Sequence, residues 1–395
     1  MQKGSSVKGY ALGVLFFTVF LDLLGFGLII PILPIYAKDL GASGFMIGAI
    51  VGGFSLMQFF FASFWGGLSD RYGRRPIMLT SIAVMAIAYG FFSQSTTLMM
   101  LLFSRLLSGF GSANISAAQA YISDVTPPEK RAQVFGYMGA AFGAGFIVGP
   151  FLGGILQEDF GFEYVGYAAM AFCALNFVSA YFFLPESIKE KNPNSRIIPN
   201  PFGDLKSGFS KEIVRQLLVI NFVFIVGFSL MQVTASLMWK EIYHLSEKEI
   251  GYVFAFIGVS AVVIQGGLIG IINKKLGEKK LLVLGNILMM IGLAAMPWVP
   301  EGYFIPLELL CLVVVSFGVA FLTPTINTLI SKVISEKEQG KYLGINQSFG
   351  SLARFIGPII GGPMYIVAYQ FPYIGSGVLL ALTTGLSYYL VTRKL

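Results

Sequence analysis

VFGYMGAAFGAGFIVGPFLGG, residues 134–154, sets the architecture of this chain, because a related stretch, YLGINQSFGSLARFIGPIIGG, occupies residues 342–362. The two stretches align without a gap at an offset of 208 residues. The matched positions are glycines and prolines, which control how closely helices approach and where they bend: Gly136 with Gly344, Gly149–Pro150 with Gly357–Pro358, and Gly153–Gly154 with Gly361–Gly362. A repeat of this length predicts that the chain is built from two similar halves.

The composition places these halves in a membrane. Of the 395 residues, 55% are hydrophobic and 12% are charged, whereas a soluble domain carries about 25% charged residues. A helix needs about 20 apolar residues to cross a bilayer. Twelve such segments occur, at about 10–36, 45–67, 76–93, 97–123, 132–156, 162–184, 213–239, 249–272, 280–299, 303–330, 341–367 and 372–392. The sequence therefore predicts an all-α membrane protein with twelve transmembrane helices in two pseudo-symmetric six-helix bundles.

The basic residues indicate the orientation of the chain. If both termini are cytoplasmic, 22 of the 27 Lys and Arg residues fall in the tails and inner loops, and three fall in outer loops: Lys38, Lys240 and Lys248. Cytoplasmic loops of membrane proteins carry such an excess. We therefore expect a multi-pass inner-membrane protein with both termini in the cytoplasm. The net charge of +7 then follows from membrane topology and does not indicate a nucleic-acid partner.

The longest connection lies near the middle of the chain and is rich in Pro, Asn, Ser and Lys. Such a composition is typical of a linker, so we divide the chain into an N-terminal bundle (1–188), a cytoplasmic linker (189–212) and a C-terminal bundle (213–395). The single histidine excludes a multi-histidine metal site. The sequence also contains no phosphate loop and no Ser/His/Asp set, so we expect neither an enzyme nor a bound metal or cofactor.

Two charged residues lie deep inside predicted spans, where an ionisable group costs at least about 2.5–3.5 kcal/mol and so marks a functional candidate. Asp22 lies about 18 Å from the inner end of the first segment, and Arg105 about 12 Å from the outer end of the fourth. In a core of about 30 Å their depths agree. Burial favours a protonated carboxylate and a nearby guanidinium favours an ionised one. Our hypothesis is that Asp22 couples transport to protons and Arg105 modulates it; the alternative is a static ion pair.

A third charge, Arg354, lies about 20 Å from the inner end of the eleventh segment, where the repeat-related residue is Phe146. Glu308 lies near the outer end of the tenth segment at a similar depth. We favour an Arg354–Glu308 pair; the alternative is a cationic contact for an anionic substrate.

Uncharged polar side chains in the middle of spans are candidates for the substrate pocket, because they can hydrogen-bond a ligand. Hydrogen bonds between helices are the alternative for each of them. They are Gln58, Asn114, Gln119, Gln232 and Gln265.

Five motifs follow one another in the first half of the chain: DLLGFGLIIP at 22–31, GLSDRYGRRP at 67–76, RLLSGFG at 105–111, PEKR at 128–131 and GFIVGPFLGG at 145–154. Together they resemble the major facilitator superfamily, in particular its drug:proton antiporter branch with the tetracycline-efflux proteins. The resemblance covers nearly the whole chain, and it also places Asp22 beside Arg105.

The resemblance implies a cytoplasmic latch at the loop 67–76. In it, Asp70 accepts hydrogen bonds from the backbone amides at the start of the eleventh segment, and Arg74 pairs with Asp124 at the inner end of the fourth. The alternative is that Arg71, Arg74 and Arg75 only satisfy the excess of positive charge on the inner side.

The same resemblance implies a function in transport. We expect proton-coupled efflux of small amphipathic compounds by alternating access, with Gly149 and Pro150 gating the outer side; the alternative is a carrier for a specific metabolite, sugar or organic anion. The expected partners are the substrate, protons and membrane lipids, and the fold can work as a monomer. Tetracycline-efflux proteins carry acids in helices three and nine, whereas segments 76–93 and 280–299 contain none. This difference argues against a metal-chelated tetracycline as the substrate.

Overall fold

The computed structural model describes residues 3–112, 115–188, 191–193, 203, 206, 208–335 and 338–393. Within these residues every regular element is helical, as predicted. The α-helices are α1 (Lys3–Ile29), α2 (Leu33–Asp39), α3 (Gly44–Tyr72), α4 (Arg74–Ser93), α5 (Leu98–Ser112), α6 (Ile115–Val125), α7 (Pro128–Phe160), α8 (Phe162–Phe183), α9 (Glu212–Glu241), α10 (Glu247–Val263), α11 (Ile269–Ala295), α12 (Leu309–Val333), α13 (Gln339–Val367) and α14 (Phe371–Arg393). Short π-helical turns at Ile264–Leu268 and Phe304–Glu308 lead into α11 and α12.

The helices account for all twelve predicted spans. Ten stretches of the described chain are long and apolar enough to cross a membrane. One of them, Glu247–Trp298, has 52 residues and covers the eighth and ninth predicted segments together. The eleventh predicted segment is not among the ten but forms α13, which has 29 residues.

A single glycine interrupts the helix between the eighth and ninth predicted segments. Within α11, Gly277 has φ 75° and ψ 158°, which are not helical values. A positive φ is accessible to glycine at little cost, so the chain turns here without a long loop. The neighbouring lysines, Lys274, Lys275, Lys279 and Lys280, belong to the inner side in the predicted topology.

The chain forms two compact units. Unit 1 consists of Met1–Tyr36, Leu56–Asn200 and Ser246–Ala255, and unit 2 consists of Ala37–Ser55, Pro201–Leu245 and Phe256–Leu395. Each unit therefore includes a short piece from the other half of the sequence. That piece is the start of α10 in unit 1, and the end of α2 with the start of α3 in unit 2. The predicted division at residues 188 and 213 follows the sequence order and stays a prediction.

Helix packing inside the two units follows one pattern. In unit 1, α1 packs on α7 and α8, and α4 packs on α5 and α8. In unit 2, α9 packs on α13 and α14, and α11 packs on α12 and α14. In each half, the first span therefore packs on the fifth and the sixth, and the third span packs on the fourth and the sixth. The internal sequence repeat is therefore accompanied by a repeat of helix packing.

The repeated glycines lie where the first and fifth helices of each half cross. A Cβ atom placed on Gly149 would lie 2.8 Å from Cα of Gly27 in α1, and one on Gly153 would lie less than 3.0 Å from the Leu28 carbonyl. A Cβ on Gly357 would lie 2.6 Å from Cβ of Ser229 in α9. Distances below 3.0 Å leave no room for a side chain, so these helices cross at backbone distance.

The second glycine of each repeated pair faces the short piece from the other half of the sequence. A Cβ on Gly154 would lie 2.5 Å from the carbonyl oxygen of Glu247, and one on Gly362 would lie less than 3.0 Å from that of Gly44. Gly154 thus packs against the start of α10 within unit 1, and Gly362 against the start of α3 within unit 2. The double glycine lets one helix approach two neighbours closely on different faces.

Candidate functional site

Asp22 lies on α1 in a polar cluster inside unit 1. The Asn176 side chain on α8 donates a hydrogen bond from Nδ2 to Oδ1 of Asp22 at 3.0 Å, and lies 3.4 Å from the Thr18 carbonyl. Asn176 is fully buried. An amide in an apolar interior is stable only when it is hydrogen-bonded, so this contact fixes the position of the carboxylate.

Arg105 on α5 is buried in the same region. Its guanidinium lies 5.9 Å from the centre of the Phe26 ring, one helical turn along α1 from Asp22. A cation over an aromatic face is attracted by the ring quadrupole. Tyr89 on α4, which is also buried, lies within electrostatic range of both Arg105 and Asp22. The contact with Phe26 therefore places the Arg105 guanidinium near the turn of α1 that carries Asp22.

This arrangement gives one carboxylate two kinds of neighbour. The Asn176 amide can donate to either protonation state of Asp22, since a protonated carboxyl keeps an acceptor oxygen. The Arg105 guanidinium stabilises only the ionised state. A change in the distance between Arg105 and Asp22 would therefore change how firmly Asp22 holds a proton, which is the chemistry that proton coupling requires.

A second polar cluster joins the ends of α3, α4, α6 and α8 in unit 1. Arg74 contacts Asp124 (Nε to Oδ2, 3.2 Å) and Asp70 (Nη1 to Oδ1, 2.5 Å), and donates to Oγ of Ser69 at 2.6 Å. Its side chain is 9% exposed, against 40% for Asp70 and 27% for Asp124. The expected Arg74–Asp124 pair is thus present, and Asp70 shares the same guanidinium. The role of Asp70 at the start of α13 stays a prediction.

Glu186 completes this cluster and was missed by the sequence analysis. Its carboxylate accepts from the backbone amides of Arg74 (2.9 Å) and Arg75 (3.2 Å), so it caps the first turn of α4, where backbone donors lack helical partners. Gly73, at φ 116°, makes the turn that exposes these amides. An acid immediately after the sixth predicted segment was the signal that could have indicated it.

Arg71 differs from Arg74 although the two are three residues apart. Arg71 is exposed and lies 5.7 Å from the Tyr72 ring, whereas Arg74 has two carboxylate partners. We expect Arg74→Ala to destabilise the protein by about 1.5–3 kcal/mol, the range for hydrogen bonds to charged groups. Arg71→Ala, the matched control, should have little effect.

Thermal unfolding of the two purified variants in detergent measures this difference. Equal unfolding midpoints for Arg71→Ala and Arg74→Ala would show that the inner arginines contribute only through their charge.

The predicted pocket residues are divided between the two units. In unit 1, Gln58 donates to Oγ of Ser112 at 3.1 Å, and Gln119 is exposed. In unit 2, Gln232 is half-buried, and Gln265 is exposed within the π turn that precedes α11. Asn114 lies outside the described residues. The Gln58 contact is a bond between helices, the alternative considered for it above; the roles of the others stay predictions.

The predicted Arg354–Glu308 pair is wrong. Glu308 accepts a hydrogen bond from Nε1 of Trp239 at 2.7 Å, and Arg354 donates to Oγ of Ser351, one turn earlier in α13, at 3.1 Å. No ion pair of the described residues joins Arg354 to Glu308. Their similar depth along the helices stays a prediction, and depth does not determine which face of a helix a side chain occupies.

Asn176 and Trp239, the neutral partners of Asp22 and Glu308, were also missed. Asn176 is a polar residue within the apolar sixth segment, which is a visible signal. Trp239 gives none, because a tryptophan near the end of a span is common at membrane interfaces.

The helices and their charges define a polytopic membrane protein with buried ionisable groups, the class to which secondary transporters belong. The family model of the Major Facilitator Superfamily matches residues 15–358 and 217–395. The chain belongs to the Major Facilitator Superfamily.

Similar proteins occur in bacteria and animals. The chain is 29% identical to multidrug resistance protein 2 of Bacillus subtilis (strain 168), over 98% of this chain and 96% of that protein. It is 31% identical to the class C tetracycline resistance protein of Escherichia coli, over 90% and 89% of the two chains. The crystal structure of the human organic anion transporter MFSD10 (TETRAN) superimposes with a TM-score of 0.73 at 25% identity, over 96% of this chain and 99% of that one.

Proposed function

We propose that this chain is a proton-driven exporter of small amphipathic drugs that works by alternating access. The observation that carries the proposal is the position of Asp22 within a membrane-spanning helix, with Asn176 bound to it and Arg105 in the same cluster. An ionisable side chain inside a membrane span has a high free-energy cost, so it is a functional site by default. The chain then acts as a carrier, not as an enzyme.

The proton cycle follows from this cluster. When Arg105 is close, Asp22 is ionised and the pair is neutral as a whole. When helix movement separates them, the carboxylate is left in a medium of low dielectric and takes up a proton, because an isolated buried charge costs several kcal/mol. Alternating exposure of Asp22 to the two sides of the membrane would then move one proton inward for each drug moved outward.

The inner cluster around Arg74 supports a state-dependent latch. Its members, Asp70, Arg74 and Asp124, lie on the loops predicted to face the cytoplasm, which is also where both termini are placed in our topology. Such a latch can open at moderate cost, since hydrogen bonds to charged groups contribute about 1.5–3 kcal/mol. Gly149 and Pro150, at the crossing of α1 and α7, are proposed to gate the outer side.

The drug class is inferred from two observations. The relatives include proteins named for multidrug and tetracycline resistance, which supports an exporter of amphipathic drugs. The absence of acids from spans three and nine argues against a metal-chelated tetracycline. Gln232, Gln265 and Arg354 of unit 2, Gln58 and Gln119 of unit 1, and Asn114 are our candidates for contact with the drug.

Ethidium accumulation in cells tests this function. We expect a drug-sensitive bacterium that expresses the chain to accumulate several-fold less ethidium than the same strain with an empty vector. A protonophore should abolish the difference, because the export is driven by the proton gradient. Equal accumulation in both strains, with the protein present in the membrane fraction, would contradict the proposal.

A further inference from the structure

Glu308 is a second carboxylate inside the membrane-spanning part of the chain, and the proton cycle above does not use it. It lies at the end of the π turn Phe304–Glu308, and its side chain is fully buried. Oε1 accepts from Trp239, which is fully buried as well. For Oε2 there is no hydrogen-bond partner among the described residues. π turns within helices occur frequently at functional sites.

The groups around Glu308 are neutral. Tyr243 follows α9, Tyr373 lies on α14 and Cys311 lies one turn further along α12; all three lie within electrostatic range of the carboxyl group. Tyr369 and the exposed Glu301 lie further out, around Tyr243. In the described part of the chain, no ion pair includes Glu308.

An ionised carboxylate in this position has little to stabilise it. One indole N–H compensates only part of the hydration that an ionised carboxylate loses on burial, and the effective penalty for a buried, unpaired ion is several kcal/mol. The site therefore favours a carboxyl group that holds a proton. Tyr243, outside the spans, responds to the same surroundings, because burial and then the nearby Glu308 raise its pKa above the usual value.

An open cavity lies in the same unit of the chain as Glu308. The cavity, about 370 Å³ in volume, is lined by Lys38, Glu241, Tyr365 and Tyr369 among others. The Tyr365 hydroxyl donates to Oε2 of Glu241 at 3.0 Å, and Glu241 also pairs with Lys38. Lys38 belongs to a loop that the charge pattern assigns to the outer side of the membrane.

Tyrosines lie near both the cavity and the buried acid. Tyr365 lies within electrostatic range of Tyr369 and Tyr373, and Tyr373 is within range of Glu308. A phenol hydroxyl both donates and accepts, so a row of tyrosines can relay a proton when water enters the cavity.

We propose that Glu308 is a second proton-binding site of this transporter, loaded from the outer cavity through Tyr365 and Tyr373 and released during the transport cycle. Each unit then carries one proton-binding carboxylate, Asp22 in unit 1 and Glu308 in unit 2. This inference rests on the proposed function for its role in transport, whereas proton binding by Glu308 can be measured without any drug.

Infrared spectroscopy of the reconstituted protein, titrated from about pH 5 to about pH 10, detects protonated carboxyl groups directly. We expect a carbonyl band that disappears as the pH rises and is absent from Glu308→Gln. The matched control, Glu301→Gln, removes an exposed acid of the same region and should retain the band. In Trp239→Phe the band should remain and move to higher frequency, because the carbonyl loses its hydrogen bond. This variant keeps the test valid if Glu308→Gln does not fold.

A band that belongs to Glu308 but does not change over the whole titration would show a permanently protonated structural residue and would overturn the proposal. Identical spectra for wild type and Glu308→Gln would overturn it as well. Neither result depends on whether ethidium is exported, so the two proposals fail separately.

The coupling role has its own readout. With the membrane potential clamped, each coupled proton supports about a tenfold concentration ratio per unit of pH difference. Glu308→Gln should therefore lower the limiting ethidium accumulation in proteoliposomes about tenfold at a difference of one pH unit, while transport continues. Unchanged limiting accumulation in this variant would contradict a transported second proton.

Discussion

Asp22→Asn is expected to abolish uptake of ethidium driven by a pH gradient into inverted membrane vesicles. Asparagine has nearly the same shape as aspartate and can keep the hydrogen bond with Asn176, but it neither binds a proton nor balances the charge of Arg105. With Arg105 buried and its ionised neighbour removed, the steps that move the cluster are arrested. The initial rate should fall at least about tenfold, to the level of vesicles without the protein.

Two controls make this result specific. Asp39→Asn removes an exposed acid at the end of α2 and should transport at the wild-type rate. Ethidium binding by purified Asp22→Asn, followed by fluorescence, should persist, which separates lost coupling from a misfolded protein. Undiminished gradient-driven uptake in Asp22→Asn would remove Asp22 from the proton path and leave its cluster with a structural role.

Gly153→Ala and Gly362→Ala are the next most damaging changes that we expect. The new Cβ would lie less than 3.0 Å from the carbonyl group of Leu28 in the first case and of Gly44 in the second. These neighbours are backbone atoms and cannot rotate away, so the helices must separate. Overpacking of this kind costs about 1–3 kcal/mol, and it should lower both the unfolding temperature and the transport rate.

The same helices offer matched controls, because Gly139 and Gly344 have no atoms within 4 Å of an added Cβ. The variants Gly139→Ala and Gly344→Ala should fold and transport like the wild type. The higher helix propensity of alanine should, if anything, stabilise these two variants. If all four alanine variants unfold at the same temperature, then Gly153 and Gly362 are not needed for the close crossings of α1 with α7 and of α13 with α3.

Much of the architecture could be predicted from the sequence for a physical reason. A backbone in lipid must satisfy its own hydrogen bonds, so apolar segments of sufficient length form helices. The repeated glycines of residues 134–154 and 342–362 then indicated equivalent packing, and α7 and α13 do pack on the first helix of their own half. The Arg74–Asp124 pair was also expected, from the resemblance to the family.

The side-chain partners inside the spans were harder to predict, because position along a helix gives depth but not direction. Arg354 and Glu308 were predicted to lie at similar depths, yet one bonds to Ser351 and the other to Trp239. Glu186 was missed for another reason: it caps α4 from a distant part of the sequence, so the acid after the sixth predicted segment does not by itself indicate its partner.

Transport by the purified protein in proteoliposomes tests the central claim most directly. A pH difference is imposed across the membrane, ethidium is followed by its fluorescence, and the internal pH is followed by an enclosed indicator dye. We predict that ethidium accumulates on the acidic side and that its entry is accompanied by proton exit. Ethidium that crosses at the same rate with and without the gradient, while the internal pH does not respond, would contradict a proton-driven exporter.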